Sequence, residues 1–347
     1  MLKVGILTLS RSFNAGAYLQ AYSLSKFLEE NGCQVEFENI YNKASWYKLL
    51  KSLLWLETKT VSELFFNIRK GLIFLSAQKK LNYSSTLFGS DRSDKDAIVI
   101  GSDEVCNVKN GSFKALPEFF DNSILCDNII AYAPGAAATT ADDLPNYPYI
   151  KIGLDKFSSL SARDRNGRDL VNAALGFEPP IVVDPTFLVE FESEPYREEL
   201  PPFILVYSYN LNERYRAEVL KFAKERSLEV ISVGFYANWC HRALNVRPLE
   251  FVNLVQRAEY VITDTFHGTM FSCIFKKNFA TYASGKAKIL DFMEFYGLKA
   301  RIAGETELEA VLHRKLSDDD LSKLSAQIDS SKQYLIEAVS PESTAVC

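Results

Sequence analysis

Histidine is scarce in this chain, with three residues in 347. No histidine cluster and no carboxylate pair stands at metal-ligand spacing, so the sequence implies neither a metal nor a resident cofactor. Cysteine occurs six times, at Cys33, Cys106, Cys126, Cys240, Cys273 and Cys347, but never as a CxxC pair. That excludes a zinc ribbon and fits free, buried thiols in a cytosolic chain. Long apolar runs are missing too, so no segment reaches membrane-spanning length. The opening MLKVGILTLS reads as a first strand and lacks a signal-peptide layout. Positive charge is not in excess: the formal net charge is −5, which argues against nonspecific nucleic-acid binding. There is no GxxxxGK[ST] loop, internal repeat or low-complexity segment.

What is present is a globular composition, 47% hydrophobic and 24% charged, at a length that suggests two domains or at most three. Residues 2–9 read as a buried strand, and 11–16 as a polar loop ending in Asn14, Ala15 and Gly16. A helix follows, with Ala17, Ala21, Leu24 and Leu28 on one face and Asn31-Gly32 as its stop. Residues 34–39 return as a strand, and a right-handed crossover makes the pair parallel. The loop after the first strand then lies at the carboxyl edge, where open α/β sheets bind ligands. Gln20 sits one turn past Gly16. It faces that loop or is an ordinary exposed helix glutamine, and the residues alone leave both readings open.

Further strands are expected at 96–101, ending in Gly101-Ser102-Asp103, at 128–133, and at 181–183, ended by Asp184-Pro185-Thr186. Helices are expected at 152–161 and 168–175, with Ser161 to Asp164 as a short strand or turn. Residues 190–202 are acidic and carry prolines, a plausible hinge. A second α/β unit starts at Phe203, with strands at 203–209, 229–234, 260–262 and 279–283. Its helices are expected at 213–226, 248–258 and 286–296, followed by closing helices at 305–315 and 317–336. The fold class is therefore α/β, with two Rossmann-like domains, 1–190 and 202–347, facing a cleft. A C-terminal helix packs back across them.

Residues 43–80 break the alternation. They are helical in pattern and rich in Leu, Phe and Trp. They carry Lys43, Lys48, Lys51, Lys59, Arg69, Lys70, Lys79 and Lys80 against Glu57 and Glu63. Such a basic, aromatic block suits an anionic membrane surface. It equally suits a packed helical insertion with a solvated basic face.

The chain is organised around residues 258–275, AEYVITDTFHGTMFSCIF. Tyr260, Val261 and Ile262 read as a strand that Thr263 and Asp264 end. Helical spacing resumes after Gly268 with Met270, Phe271 and Ile274 on one side. Residues 264–268 then form a strand-to-helix turn, whose backbone N–H groups suit an anion. Gly268 allows a close backbone approach. His267 sits where a proton donor beside a phosphate would sit, or it is a satisfied loop histidine. Arg163 and His267 beside a helix N-terminus suit an anion that bears phosphate and carboxylate. The residues lead as far as a transferase acting on a phospho-ligand.

Six motifs in order sharpen this. NAGAYLQAYSL at 14–24, GSDEVCN at 101–107 and SARDRNG at 161–167 resemble the N-x-G-A-x-L-Q-A-Y-x-L, G-S-D-Q-V-W-N and S-x-R-E-x-x-G stretches of the polysaccharide pyruvyl transferases. VDPTFL at 183–188, TDTFHGTMFS at 263–272 and ILDFMEFYGLKAR at 289–301 are similar to its V-D-P-T-x-L, T-D-S-F-H-G-T-x-F-S and closing leucine-glycine-arginine stretches. Glu104 and Cys106 stand where that family usually has Gln and Trp, Asp164 where it has Glu, and Lys288 near a common Arg. AYAPGAA at 131–137 replaces a usual Y-A-x-S-F-G.

The resemblance implies a GT-B-like fold and transfer of a pyruvyl group from phosphoenolpyruvate to two hydroxyls of a sugar, giving a cyclic ketal and phosphate. The sugar would belong to a cell-surface polysaccharide or a lipid-linked precursor. Phosphoenolpyruvate would be a co-substrate, with no cofactor and no metal. The catalytic residues implied are His267 and Asp103. Arg163, Thr265, Gly268 and Thr269 would bind the donor, and Asn14, Gly16, Gln20 and Asp184 the acceptor. The N-terminal domain would be the acceptor side and the C-terminal domain the donor side. The expected location is cytoplasmic, with a peripheral reading at the inner face of the membrane. A GT-B glycosyltransferase using a nucleotide sugar, and a non-catalytic sugar- or phosphate-binding homologue, remain as alternatives.

Overall fold

A computed structural model of the chain describes residues 1–40, 60–87, 94–110, 117–120 and 126–340. The 43–59 part of the basic block and Cys347 lie outside the described residues. The chain opens with strand β1 (Leu2–Leu7), helix α1 (Ala15–Glu30) and strand β2 (Cys33–Asn39). Helix α2 (Val61–Gln78) follows, then β3 (Tyr83–Leu87), β4 (Ala97–Ile100), β5 (Ile129–Ala131), α3 (Pro148–Leu154), β6 (Ser159–Leu160) and α4 (Arg165–Leu175). These six strands form one sheet in the order β3-β2-β1-β4-β5-β6, every pair parallel.

The second half holds β7 (Phe203–Tyr207), α5 (Glu213–Glu225), β8 (Glu229–Val233), β9 (Arg242–Leu244), α6 (Pro248–Arg257), β10 (Tyr260–Thr263), α7 (Phe266–Ile274), β11 (Asn278–Thr281) and α8 (Ala287–Phe295). Its sheet is also wholly parallel, in the order β11-β10-β7-β8-β9. Helices α9 (Leu308–His313) and α10 (Ser322–Val339) close the chain.

Period-two alternation assigns each strand's side chains to two cores. On β1, Val4 and Ile6 face one cluster while Leu7 faces another. On β7, Phe203, Leu205 and Tyr207 join the same cluster as Val4, while Ile204 and Val206 turn away from it. One continuous apolar cluster therefore runs through both halves, filled by α1, α6, α7, α8 and α10. Helices α3 and α4 cover the far side of the first sheet, and α5 and α9 that of the second.

Helix α10 returns to the first half. Ser331 Oγ accepts from the Val183 N–H at 3.0 Å, and Asn128 Nδ2 donates to the Ala338 carbonyl at 3.0 Å.

Several local expectations need correction. Helix α7 starts at Phe266, not after Gly268, because Thr265 caps it: its Oγ1 accepts the Gly268 N–H at 2.9 Å. The helix expected at 152–161 is α3, shifted toward Pro148, a residue pre-set for the first turn. Ser159 and Leu160 are strand. The strand expected at 181–183 is a single parallel bridge between Ala162 and Ile181, since Pro185 begins a 3-10 turn just beyond. Edge strands β3 and β9 were not anticipated. β3 carries two serines and β9 is three residues long and half-buried, so neither shows a clear apolar alternation.

Candidate active site

In the first sheet the winding reverses between β1 and β4, and in the second between β7 and β10. Loops leaving strands on either side of such a point diverge and open a crevice at the carboxyl ends. The segments after β1, β4 and β10 supply Asn14, Asp103 and His267, while Arg163 follows β6 and Asp184 follows the bridge at Ile181.

Asp184 is at the centre, 1% exposed. One carboxylate oxygen accepts the Thr186 N–H at 3.1 Å and its hydroxyl at 2.9 Å. The other meets Arg163 Nη1 at 3.2 Å, the Ser102 hydroxyl at 3.3 Å and His267 Nε2 at 3.8 Å. Burial opposes ionisation of Asp184, but His267, Arg163 and Thr186 together hold its carboxyl below the usual range. The guanidinium is charged at every accessible pH, so it is the lasting partner.

Arg163 is buried, and burial works against its charge, but Asp184 and Asp103 outweigh this and raise its pKa. Its guanidinium carbon lies 4.7 Å from the centre of the Phe266 ring. Arg163 Nε and Nη2 have no hydrogen-bond partner, nor has His267 Nε2. Buried polar nitrogens normally find partners, so these three, close to Asp184, are exceptions within the protein. Burial lowers the His267 pKa, with Asp184 and Asp103 acting in the opposite direction.

Two glycines make this approach possible. A Cβ on Gly16 would lie 2.3 Å from His267 Cγ, and one on Gly135 would lie 2.4 Å from Arg163 Nη2. Gly135 belongs to the AYAPGAA stretch, so that loop forms the wall against Arg163. Asp103 follows β4 with φ at 62°, a left-handed conformation that Asp tolerates, and its carbonyl accepts the Gly135 N–H at 2.8 Å.

The remaining predicted residues are placed differently. Asn14 caps α1: its Oδ1 accepts from Gly16 N at 2.8 Å and from the Tyr207 hydroxyl at 3.0 Å, and its Nδ2 donates to the Tyr209 hydroxyl at 3.0 Å. It thus ties the first half to the second. Gln20 is not the exposed helix glutamine of one reading, and its Oε1 has no hydrogen-bond partner. It is fully buried, and Nε2 donates to Thr8 Oγ1 and the Ala17 carbonyl, both at 3.1 Å. Thr265 and Thr269 turn their hydroxyls inward, Thr269 bonding the Thr265 carbonyl at 3.0 Å. A Cβ on Gly268 would lie 2.1 Å from Thr263 Oγ1, so this glycine serves packing beneath the turn.

The structure adds residues that the sequence did not single out as functional. Ser102 lies inside the GSD motif and contacts Asp184. Lys288 Nζ pairs with Glu104 at 2.6 Å and lies 5.6 Å from the Phe266 ring centre. Lys286 pairs with Asp264 at 2.7 Å. Glu104 and Lys288 were visible as departures from the family pattern, but nothing local indicated that they meet. Among the described residues no group of three or more His, Cys, Asp and Glu is placed to hold a metal ion. Cys106 and Cys273 are buried, and burial pushes both thiols up to about 12.

Two wholly parallel sheets with their carboxyl ends turned to one crevice define a GT-B-type α/β fold, built of two Rossmann-like halves. A UDP-GlcNAc 2-epimerase from Methanocaldococcus jannaschii shares it, with a TM-score of 0.50 at 12% identity over 91% of this chain and 94% of that one. The UDP-GlcNAc 2-epimerase of Neisseria meningitidis aligns at a TM-score of 0.48 and 9% identity, covering 98% and 97% of the two chains. An alpha-glucosyltransferase in complex with UDP and DNA aligns at 0.49 and 9%, covering 97% and 95%. No curated protein matches the sequence. The model of the polysaccharide pyruvyl transferase family matches residues 14–285, and the chain belongs to that family of transferases.

Proposed function

We propose that the chain transfers a pyruvyl group from phosphoenolpyruvate to two hydroxyls of a sugar in a polysaccharide or lipid-linked precursor. The observation that carries this reading is the set of unpartnered nitrogens, Arg163 Nε and Nη2 and His267 Nε2, around the buried Asp184. A fixed guanidinium suits bidentate contact with carboxylate or phosphate. An imidazole beside it suits proton transfer.

The reaction needs a proton on the methylene carbon of phosphoenolpyruvate, which leaves an oxocarbenium-like centre at the neighbouring carbon. His267 in its protonated form gives that proton. One sugar hydroxyl forms a C–O bond to the centre and loses its proton, which restores the acid. The C–O bond to phosphate then breaks, the second hydroxyl closes the ketal, and its proton leaves with the phosphate. Asp103, whose charge acts on Arg163, takes the proton of the second hydroxyl and passes it to the departing phosphate, so it ends the cycle ionised as it began. Asp184 is a positioning residue, since both its oxygens are already engaged by protein groups. Thr265, Gly268 and Thr269 shape the α7 N-terminus that faces the anion. The first half is the acceptor side, around Asn14 and Gly16, and the second half is the donor side. Catalysis at such a site comes from positioning and from charge set in place beforehand.

A donor screen by thermal melting tests the reading. Phosphoenolpyruvate without added metal is expected to raise Tm, by about 2.7 kcal/mol of stabilisation at a hundredfold excess over Kd. UDP- and GDP-sugars are expected to leave it unchanged. Stabilisation by a nucleotide sugar and none by phosphoenolpyruvate would replace this proposal with glycosyl transfer.

A further inference from the structure

Helix α2 is apolar on two opposite sides. Its inner side is already used by the body of the protein. Phe74, Ala77 and Gln78 are buried there. The Tyr18 hydroxyl donates to the Ala77 carbonyl at 3.2 Å, and Gln78 Nε2 donates to the Ser12 carbonyl at 3.2 Å. Lys70 lies 4.7 Å from the centre of the Phe235 ring. The outer side carries Val61, Leu64, Phe65, Ile68 and Leu72 at intervals of three and four. At helical periodicity these positions form one stripe. All five face solvent, with Val61 71%, Phe65 67% and Leu72 64% exposed. Single exposed apolar residues need no explanation, but a contiguous row along one helix marks an interaction face.

The charge beside the stripe indicates the partner. Arg69 is exposed one turn beyond Phe65, and Lys79 two turns beyond Leu72. Along the sequence, the stretch before the helix carries Lys43, Lys48, Lys51 and Lys59 against Glu57, and the helix itself carries Glu63 in its first turn. In a chain of net charge −5 this is a local concentration of cations. A second copy of the chain on a two-fold axis would bring the same cations face to face. An anionic lipid surface satisfies both features, with acyl chains for the stripe and headgroups for the cations. No described helix is long and apolar enough to cross a membrane, so the contact lies in the plane of the interface.

We propose that the outer face of α2 docks on an anionic bilayer, with Val61, Leu64, Phe65, Ile68 and Leu72 in the headgroup–acyl boundary and Arg69 and Lys79 on lipid phosphates. The inner face keeps the helix fixed to the body, so docking orients the whole molecule. The contact is independent of the transfer reaction and stands or falls separately from it.

Vesicle flotation with the full chain is the test, using phosphatidylcholine alone and phosphatidylcholine mixed with an equal part of phosphatidylglycerol. The mixed vesicles are expected to carry the protein at low salt, and about 0.5 M salt to release most of it. Phe65→Ser combined with Leu72→Ser should cut the partition at least about tenfold, because two apolar side chains leave the boundary. Both positions are exposed, so Tm should barely move. Arg69→Glu with Lys79→Glu should weaken binding at low salt and leave less for salt to remove. Should the double serine variant fail to fold, Leu72→Gln alone is read in the same assay. Absence of binding to the mixed vesicles at low salt overturns the proposal. Binding that the stripe variants leave unchanged puts the contact elsewhere and overturns it as well. A dimer in light scattering that the serine variant splits, without vesicle binding, assigns the stripe to a second copy instead.

Discussion

At Asp184 one carboxylate oxygen serves two basic groups, Arg163 at 3.2 Å and His267 at 3.8 Å, in a place with almost no solvent. Removing the nearer one strands a buried charge, at a cost of about 3–5 kcal/mol. Arg163→Ala is therefore expected to melt well below wild type and to lose the phosphoenolpyruvate shift. Arg163→Lys should recover part of the stability but little of the shift, since it lacks the planar fork. Equal ligand shifts in wild type and Arg163→Ala would remove the guanidinium from the site. His267→Gln separates chemistry from binding. Turnover should fall by about a hundredfold to ten-thousandfold while phosphoenolpyruvate affinity stays near wild type. A loop histidine would instead lose a little rate in step with stability. The pH dependence follows from the lowered His267 pKa. A base with a folded pKa below its unfolded value binds fewer protons folded, so its contribution to stability is present above the ordinary histidine value. It is lost as pH falls through the folded value. Melting from about pH 7.5 down to about pH 5 should show a loss in wild type that His267→Gln lacks. The rate should fall in the other direction, as rising pH takes the proton that the acid must give.

At the scale of elements, the start of α1 does more than hold one helix. Asn14 satisfies the Gly16 N–H and also receives the Tyr207 hydroxyl from the second sheet. A missing cap costs about 0.5–2 kcal/mol, and here the link between the halves goes with it. Asn14→Ala is expected to lower Tm and to slow turnover together. Asn14→Asp keeps the accepting oxygen and loses the donor to Tyr209, so its Tm should stay close to wild type. If that variant is stable but inactive in a pyruvyl-transfer assay, the Asn14 amide contacts the acceptor. If it is stable and active, Asn14 is a strut between elements.

At the scale of the molecule, α10 decides whether the halves act as one body. Leu324, Leu335 and Val339 are buried against the cluster shared by both halves. Each such side chain is worth about 1.5–3 kcal/mol, against a total stability of about 5–15 kcal/mol for a folded domain. A chain ended before Ser322 is expected to lose its cooperative melting transition and to bind a hydrophobic dye at neutral pH. A sharp transition near the wild-type Tm in that truncation would make α10 an appendage.

The order of strands and helices was legible along the chain because most of it depends on near neighbours. β1, α1, β2, β7, α5, β8 and β10 show their periods, caps and stops within a dozen residues, and two βαβ runs imply two parallel sheets. His267, Arg163, Asp103 and Asp184 were each visible as polar residues at strand ends. That such strand ends line one cleft was legible too, but which of these side chains touch was not. Asp184 and Arg163 are joined by folding of the first half, whereas His267 reaches them from the second, past Gly16. Contacts between residues so far apart leave no periodic trace in one sequence. The same limit hid Gln20's burial beside Thr8, the pairing of Glu104 with Lys288, and edge strands β3 and β9, whose pairing depends on a neighbour already in place. It also hid which side of α2 turns outward. Val61, Phe65 and Leu72 look like core residues along the chain, and only packing of the opposite face leaves them in solvent.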